Sequence, residues 1–156
     1  ADINIQSPLN YTGGKFKLLS QIQPLLPEKL AVFYDVFCGG ANVGANVKAQ
    51  EIFCIDKNPY VIQLFNTLKS MPFKEVLMVI EGNIDKYELS DTYRHGYEFY
   101  GCDSSNGMGI FNKDKFLQLR KDFNQNKDIL LFLTLIIFSF NNQFRFHSNR
   151  SRYGCK

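Results

Sequence analysis

The segment Val32–Gly44, VFYDVFCGGANVG, constrains the fold more than any other stretch of this 156-residue chain. An apolar and aromatic run, Val32–Phe37, ends just before the pair Gly39-Gly40, which predicts a buried strand entering a tight turn. Ala41–Ala49 then has spacing compatible with a helix. Glu51–Asp56 (EIFCID) is a second apolar run, closed by an acid. Strand, Gly-rich turn, helix and strand at this length form a βαβ unit, and such units pair their strands in parallel through a right-handed crossover. The next helix is predicted over Pro59–Leu68, with Asn58 as its cap and proline in its first turn.

Outside that unit the punctuation is equally local. Thr12-Gly13-Gly14 is a turn, and Lys15–Leu25 is a predicted helix ended by Pro24 and Pro27. Helices are predicted at Phe73–Ile80 and Lys113–Asn124, separated by the turn-rich loop Asp103–Gly109. Asp128–Phe140 is the most apolar helix candidate. No internal repeat and no strand alternation follows residue 68. The expected organisation is α/β in residues 1–65, mostly helical in 66–148, and a basic tail in 149–156.

Composition narrows the class. With 45% hydrophobic and 21% charged residues the chain is ordinary for a globular protein. Its longest apolar stretch, Ile129–Ile137, is too short to span a bilayer, so no membrane partner is expected. Cys38, Cys54, Cys102 and Cys155 form no C-x-x-C pair, and His95 and His147 are the only histidines. No metal site is expected from that inventory; free thiols in a reducing, cytoplasmic setting are. Net charge is +3, and the last 17 residues hold Arg145, Arg150, Arg152 and Lys156 without an acid. All the net positive charge sits there, interleaved with Phe144, Phe146 and Tyr153. That pattern suits a phosphate backbone as well as it suits a solvated terminus.

The glycine turn carries the chemistry. Asp35-x-Phe37-x-Gly39-x-Ala41-x-x-Gly44 closes the first strand: Gly39 permits the sharp turn, the small Ala41 permits close approach of a ligand, and Gly44 permits close packing of helix on strand. Asp56, twelve residues after Gly44, can accept both hydroxyls of an adenosine ribose. Two ligands stay open at this point. A dinucleotide would place its pyrophosphate at the helix N-terminus. S-adenosylmethionine carries an amino acid instead, and Asp35 favours it, since an acid at that place can pair with an ammonium group.

Three stretches in order resemble the Dam-like family of DNA adenine-N6 methyltransferases. Asn10-Tyr11-Thr12-Gly13-Gly14-Lys15 with Leu18-Leu19 is similar to the aromatic-small-Gly-Gly-Lys opening of that family. DVFCGGANVGANVKA (35–49) is similar to its cofactor loop, and IDKNPYVIQLFNTLK (55–69) to its second strand and following helix. The final helix with FNNQFRFHS (140–148) resembles the end of its target-recognition region. The resemblance implies an incomplete Rossmann-like, S-adenosylmethionine-dependent methyltransferase sheet joined to a mostly helical target-recognition segment. It implies Tyr11, Lys15, Asp35, Gly39, Ala41, Gly44 and Asp56 around S-adenosyl-L-methionine. It also implies Phe140, Asn141, Gln143 and Arg145 against double-stranded DNA, with a cognate restriction endonuclease as a further partner. Asn and Gln can read adenine edges and Arg can read guanine or grip phosphate.

Adenine-N6 transfer in that family needs an Asp/Asn-Pro-Pro-Tyr/Phe motif, whose polar groups take the exocyclic amine and whose ring stacks on the flipped base. The sequence has none. Asp56-Lys57-Asn58-Pro59-Tyr60 has a single proline and reads as the cofactor motif. The expectation is therefore that no catalytic residue lies in this chain, that the catalytic part is missing from its C-terminal side, and that the chain alone is inactive. The alternatives are a truncated DNA-binding or cofactor-binding module without chemistry, and a dinucleotide enzyme, against which Asp35 and the Gly13-Gly14-Lys15 turn both argue.

Overall fold

The computed structural model describes residues 3–103, 107–139, 146–147 and 150–151. The chain divides into two compact units, Ala1–Phe65 and Asn66–Lys156.

The first unit is built on β1 (Val32–Val36) and β2 (Glu51–Ile55), which pair in parallel with Val32 opposite Glu51 and Val36 opposite Ile55. Both runs are β-branched or aromatic and fit a pleated surface. The crossover between them differs from the helix expected over Ala41–Ala49. Residues after Gly40 form turns and one 3-10 turn, Gly44–Asn46, before the backbone extends again at Val47 (φ −95°, ψ 141°). Ala41 enters at φ 55°, a left-handed conformation that a helix cannot continue from. Asn42 and Asn46 are drawn away to the N-terminal strap, residues 3–9. Asn42 Oδ1 accepts from Ser7 N–H at 2.9 Å, while Asn46 Oδ1 accepts from Ile5 N–H at 2.6 Å and its Nδ2 donates to Ile5 O at 2.7 Å. Short polar side chains that bond to backbone elsewhere compete with helix formation, and here they prevail.

The predicted helix at Lys15–Leu25 is a helical stretch of changing pitch: a 3-10 turn at Phe16–Leu18, α1 (Leu19–Ile22), and a second 3-10 turn at Gln23–Leu25. It starts without a side-chain cap and meets Pro24 too early for a regular α-helix to establish itself. α2 (Pro59–Ser70) begins after Asn58, whose Oδ1 accepts from Tyr60 N–H at 3.0 Å.

The second unit is helical: α3 (Phe73–Lys86), α4 (Thr92–His95), α5 (Met108–Asn126) and α6 (Ile129–Phe138). Eight of the ten α6 residues are buried, so it is a central helix rather than a surface one with a single apolar stripe. It packs against α3 and α5, with Phe132 stacked on Phe123 at 5.5 Å between ring centres. Thr134 inside α6 is satisfied by Asn83 Nδ2 at 3.0 Å and by donating to Leu130 O at 2.8 Å. Ser90 and Asn112 close a second buried polar pair, with Asn112 Nδ2 donating to Ser90 Oγ at 2.8 Å. Beyond residue 68, where the sequence shows no strand alternation, a short antiparallel pair forms from β3 (Phe146–His147) and β4 (Arg150–Ser151). At two residues each, strands of this length leave no alternation for a sequence pattern to show.

The described residues therefore supply one two-stranded parallel sheet. Its face made by Val32, Tyr34, Val36, Phe53 and Ile55 is open to water, Tyr34 being 60% exposed and stacked on Phe53 at 5.2 Å. Parallel sheets are ordinarily covered on both faces.

Candidate functional site

At the C-terminal end of β1 the chain turns through Phe37 at φ 63°, Gly39 at φ 51° and Ala41 at φ 55°. The turn is bound to the neighbouring strand: Cys38 N–H donates to Ile55 O at 2.9 Å. Asp56, immediately after β2, accepts from Gly39 N–H at Oδ2 (2.8 Å) and from Asn58 N–H at Oδ1 (2.9 Å). Asp35 accepts from Gly44 N–H at Oδ2, also at 2.8 Å. The two acids thus hold the loop, and their remaining lone pairs stay available.

The other wall comes from the Gly-Gly-Lys turn. Gly14 N–H donates to Tyr11 O at 2.9 Å, and Gly13 takes φ 78° in the turn this closes. Lys15 Nζ donates to Gly13 O, which folds the ammonium group back over the turn. The Tyr11 ring lies directly over Gly39: a Cβ added there would sit 3.1 Å from Tyr11 Cδ1. Together these segments line a cavity of about 470 Å³ whose walls include Tyr11, Lys15, Asp35, Phe37, Gly39 and Asp56. That volume falls within the range of about 300–1,000 Å³ usual for small-molecule sites.

Of the residues expected to face a cofactor, the cavity brings together Tyr11, Lys15, Asp35, Gly39 and Asp56. Ala41 and Gly44 lie behind it. Ala41 is buried, and a Cβ on Gly44 would meet Cys54 Sγ at 2.6 Å and Asp35 Oδ2 at 3.1 Å. Gly44 is small because loop and strand touch there. Phe37 is a residue that the sequence reading left in the strand. It lines the cavity, is 83% exposed and holds a left-handed backbone, an unusual state for an aromatic residue. Its signal was position: an aromatic between the acid and the glycine of the turn. Phe140, Asn141, Gln143 and Arg145 lie outside the described residues.

Electrostatically the site favours cations. Burial raises the Tyr11 hydroxyl pKa, with the Asp56 charge adding to the effect, while a hydrogen bond from Asn58 opposes it. Burial, then the neighbouring Cys54, Asp35 and Asp56, push the Cys38 thiol up to about 12. Burial and Asp35 also raise Cys54. Both shifts disfavour the thiolate, the nucleophilic form of cysteine. Among the described residues no group of three or more His, Cys, Asp or Glu could hold a metal ion, and no helix is long and apolar enough to cross a membrane.

The sequence profile described as D12 class N6 adenine-specific DNA methyltransferase matches residues 11–152. The chain belongs to that family. Relatives within the methyltransferases include the Type II methyltransferase M.FokI of Planomicrobium okeanokoites, 42% identical over 94% of this chain and 20% of its own length. The Modification methylase StsI of Streptococcus sanguinis is 40% identical over 93% of this chain and 19% of its own length. A DNA adenine methylase of Vibrio cholerae is 28% identical over 89% of this chain and 43% of its own length. The chain thus spans about a fifth of the first two relatives and less than half of the third. All three are named as methyltransferases or methylases, in keeping with the family match.

Proposed function

We propose that this chain is the cofactor-binding and target-recognition portion of an S-adenosylmethionine-dependent DNA adenine-N6 methyltransferase. The observation that carries the reading is the charge of the cavity wall. Asp35 and Asp56 face it with one cation, Lys15. S-adenosylmethionine is a net cation whose ammonium group suits Asp35, whose ribose hydroxyls suit Asp56 and whose carboxylate suits Lys15. A dinucleotide would bring a doubly charged pyrophosphate to the same two carboxylates and be repelled. Gly39 lets the Tyr11 ring lie against the backbone of the turn, which sets that ring at the cavity wall.

In this reading Tyr11 packs on the adenine, Asp56 takes the ribose hydroxyls, Asp35 pairs with the ammonium group and Lys15 with the carboxylate. Ala41 and Gly44 support the loop from behind. S-adenosylmethionine supplies the methyl group. The chain's own part is to bind and orient that donor, and to present Phe140, Asn141, Gln143 and Arg145 to double-stranded DNA. The Asp/Asn-Pro-Pro-Tyr/Phe motif comes from further polypeptide, in keeping with relatives two to five times as long as the matched region. The same polypeptide would complete a Rossmann-like sheet by covering the open face of β1 and β2. A cognate restriction endonuclease is the expected biological companion.

Calorimetry on the 156-residue chain tests the cofactor assignment. S-adenosylmethionine is expected to bind and NADH not to bind. Absence of S-adenosylmethionine binding, or a preference for the dinucleotide, overturns it.

A further inference from the structure

Asn46 joins the N-terminal strap, residues 3–9, to the loop that follows β1. Its Oδ1 accepts from Ile5 N–H at 2.6 Å and its Nδ2 donates to Ile5 O at 2.7 Å. One carboxamide thus meets both backbone groups of one residue, as a neighbouring strand would. The same Nδ2 donates to Asn42 O at 2.7 Å. Asn46 O accepts from Gln23 Nε2, which also donates to Asn4 Oδ1, both at 3.0 Å. Asn42, a residue of the cavity wall, receives Ser7 N–H at 2.9 Å. A Cβ on Gly40 would sit 3.0 Å from Ser7 Oγ and 3.2 Å from Leu9 O, so strap and loop touch.

Apolar burial does not hold the strap before Leu9, since Ile3 and Ile5 are 93% and 65% exposed. The loop, for its part, has only a 3-10 turn to stiffen it after Gly40. Asp35 and Asp56 fix it from the strands through Gly44 and Gly39 N–H, and the strap fixes it at Asn42 and Asn46. A ligand that orders this loop therefore orders the strap, and the strap favours the ligand in return, because such coupling is reciprocal. The amide at 46 is specific to the task. Aspartate would keep the bond from Ile5 N–H but turn a carboxylate oxygen toward Ile5 O and Asn42 O, two acceptors.

We propose that the strap is a working part of the cofactor site, with Asn46 the positioning residue that couples it to the cavity loop. The inference rests on the reading of the cavity as an S-adenosylmethionine site. It gives a role in binding to a segment that does not itself line the cavity.

The test combines calorimetry with amide hydrogen exchange on the 156-residue chain, with S-adenosylmethionine as ligand. In the parent, saturating ligand is expected to slow exchange at Ile5 and Ser7 N–H beyond the slowing shared by the amides of β1 and β2. Asn46→Asp is expected to weaken binding by about 3- to 10-fold. At saturation it should lose the extra protection of Ile5 and Ser7. A merely structural Asn46 would lower the thermal midpoint yet leave the ligand without effect on the strap. No extra protection in the parent, or unchanged affinity in Asn46→Asp, overturns the proposal while leaving the cofactor reading intact. Should Asn46→Asp not fold, exchange in the parent decides alone. A parent chain that fails to bind S-adenosylmethionine overturns both, and that measurement comes first.

Discussion

Gly44 leaves no room for a methyl group, because the space is taken by Cys54 Sγ at 2.6 Å and Asp35 Oδ2 at 3.1 Å. Gly44→Ala is therefore expected to cost about 1–3 kcal/mol through overpacking, readable as a lower urea midpoint. An unchanged midpoint would mean that the loop gives way without penalty. Asp56 serves the loop and, in the proposed reading, the ribose. Asp56→Ala should weaken S-adenosylmethionine binding by about one to two decades, from a charge-assisted hydrogen bond of about 1.5–3 kcal/mol. Calorimetry checks this, with circular dichroism showing that the fold persists. Much of this site was legible in the sequence, since Asp35, Gly39 and Asp56 sit at fixed distances from strand ends and their types follow from turn geometry. Phe37 was not seen as a site residue. It had an adequate local explanation as a strand aromatic, and only tertiary proximity shows that it lines the cavity.

Among the elements, α3 and α5 are joined by Tyr87, just after α3, whose hydroxyl donates to Asp122 Oδ2 at 2.6 Å. Burial first, then this hydrogen bond and the Asp122 charge, push its pKa up to about 12. The folded state holds the proton more tightly than an unfolded tyrosine near 10. Its contribution is thus complete below about pH 10 and is lost as pH rises toward 12. Stability of the parent should fall across that interval by more than that of Tyr87→Phe, which has no such proton to lose. Parallel denaturation curves for the two proteins at rising pH would rule out this linkage. Element by element, α6 was legible because nine apolar residues, interrupted only by Thr134, follow a strong cap: Asp128 Oδ1 accepts from Leu130 and Leu131 N–H at 2.8 and 3.0 Å. The helix expected at Ala41–Ala49 was not formed, because its local spacing carries no information about the strap that Asn42 and Asn46 hold. β3 and β4 escaped for the opposite reason, having too few residues to make a pattern.

For the whole molecule, the central expectation concerns chemistry. No double-proline motif is present in the sequence, so purified 1–156 should transfer no methyl group to unmethylated duplex DNA. Turnover above background, in a preparation free of host methylase, would show that other residues can do the motif's work. The open face of β1 and β2 bears on the protein's life before any chemistry begins. Val32, Tyr34, Val36, Phe53 and Ile55 offer water an extended apolar ribbon that two strands cannot hide. A ribosome delivers such a chain at about 5–20 residues per second, so in the much longer relatives the matching ribbon would wait many seconds for anything downstream to cover it. During that wait it is the kind of surface that heat-shock chaperones hold. How much protein a cell accumulates would then depend on chaperone supply as much as on the stability of the finished fold.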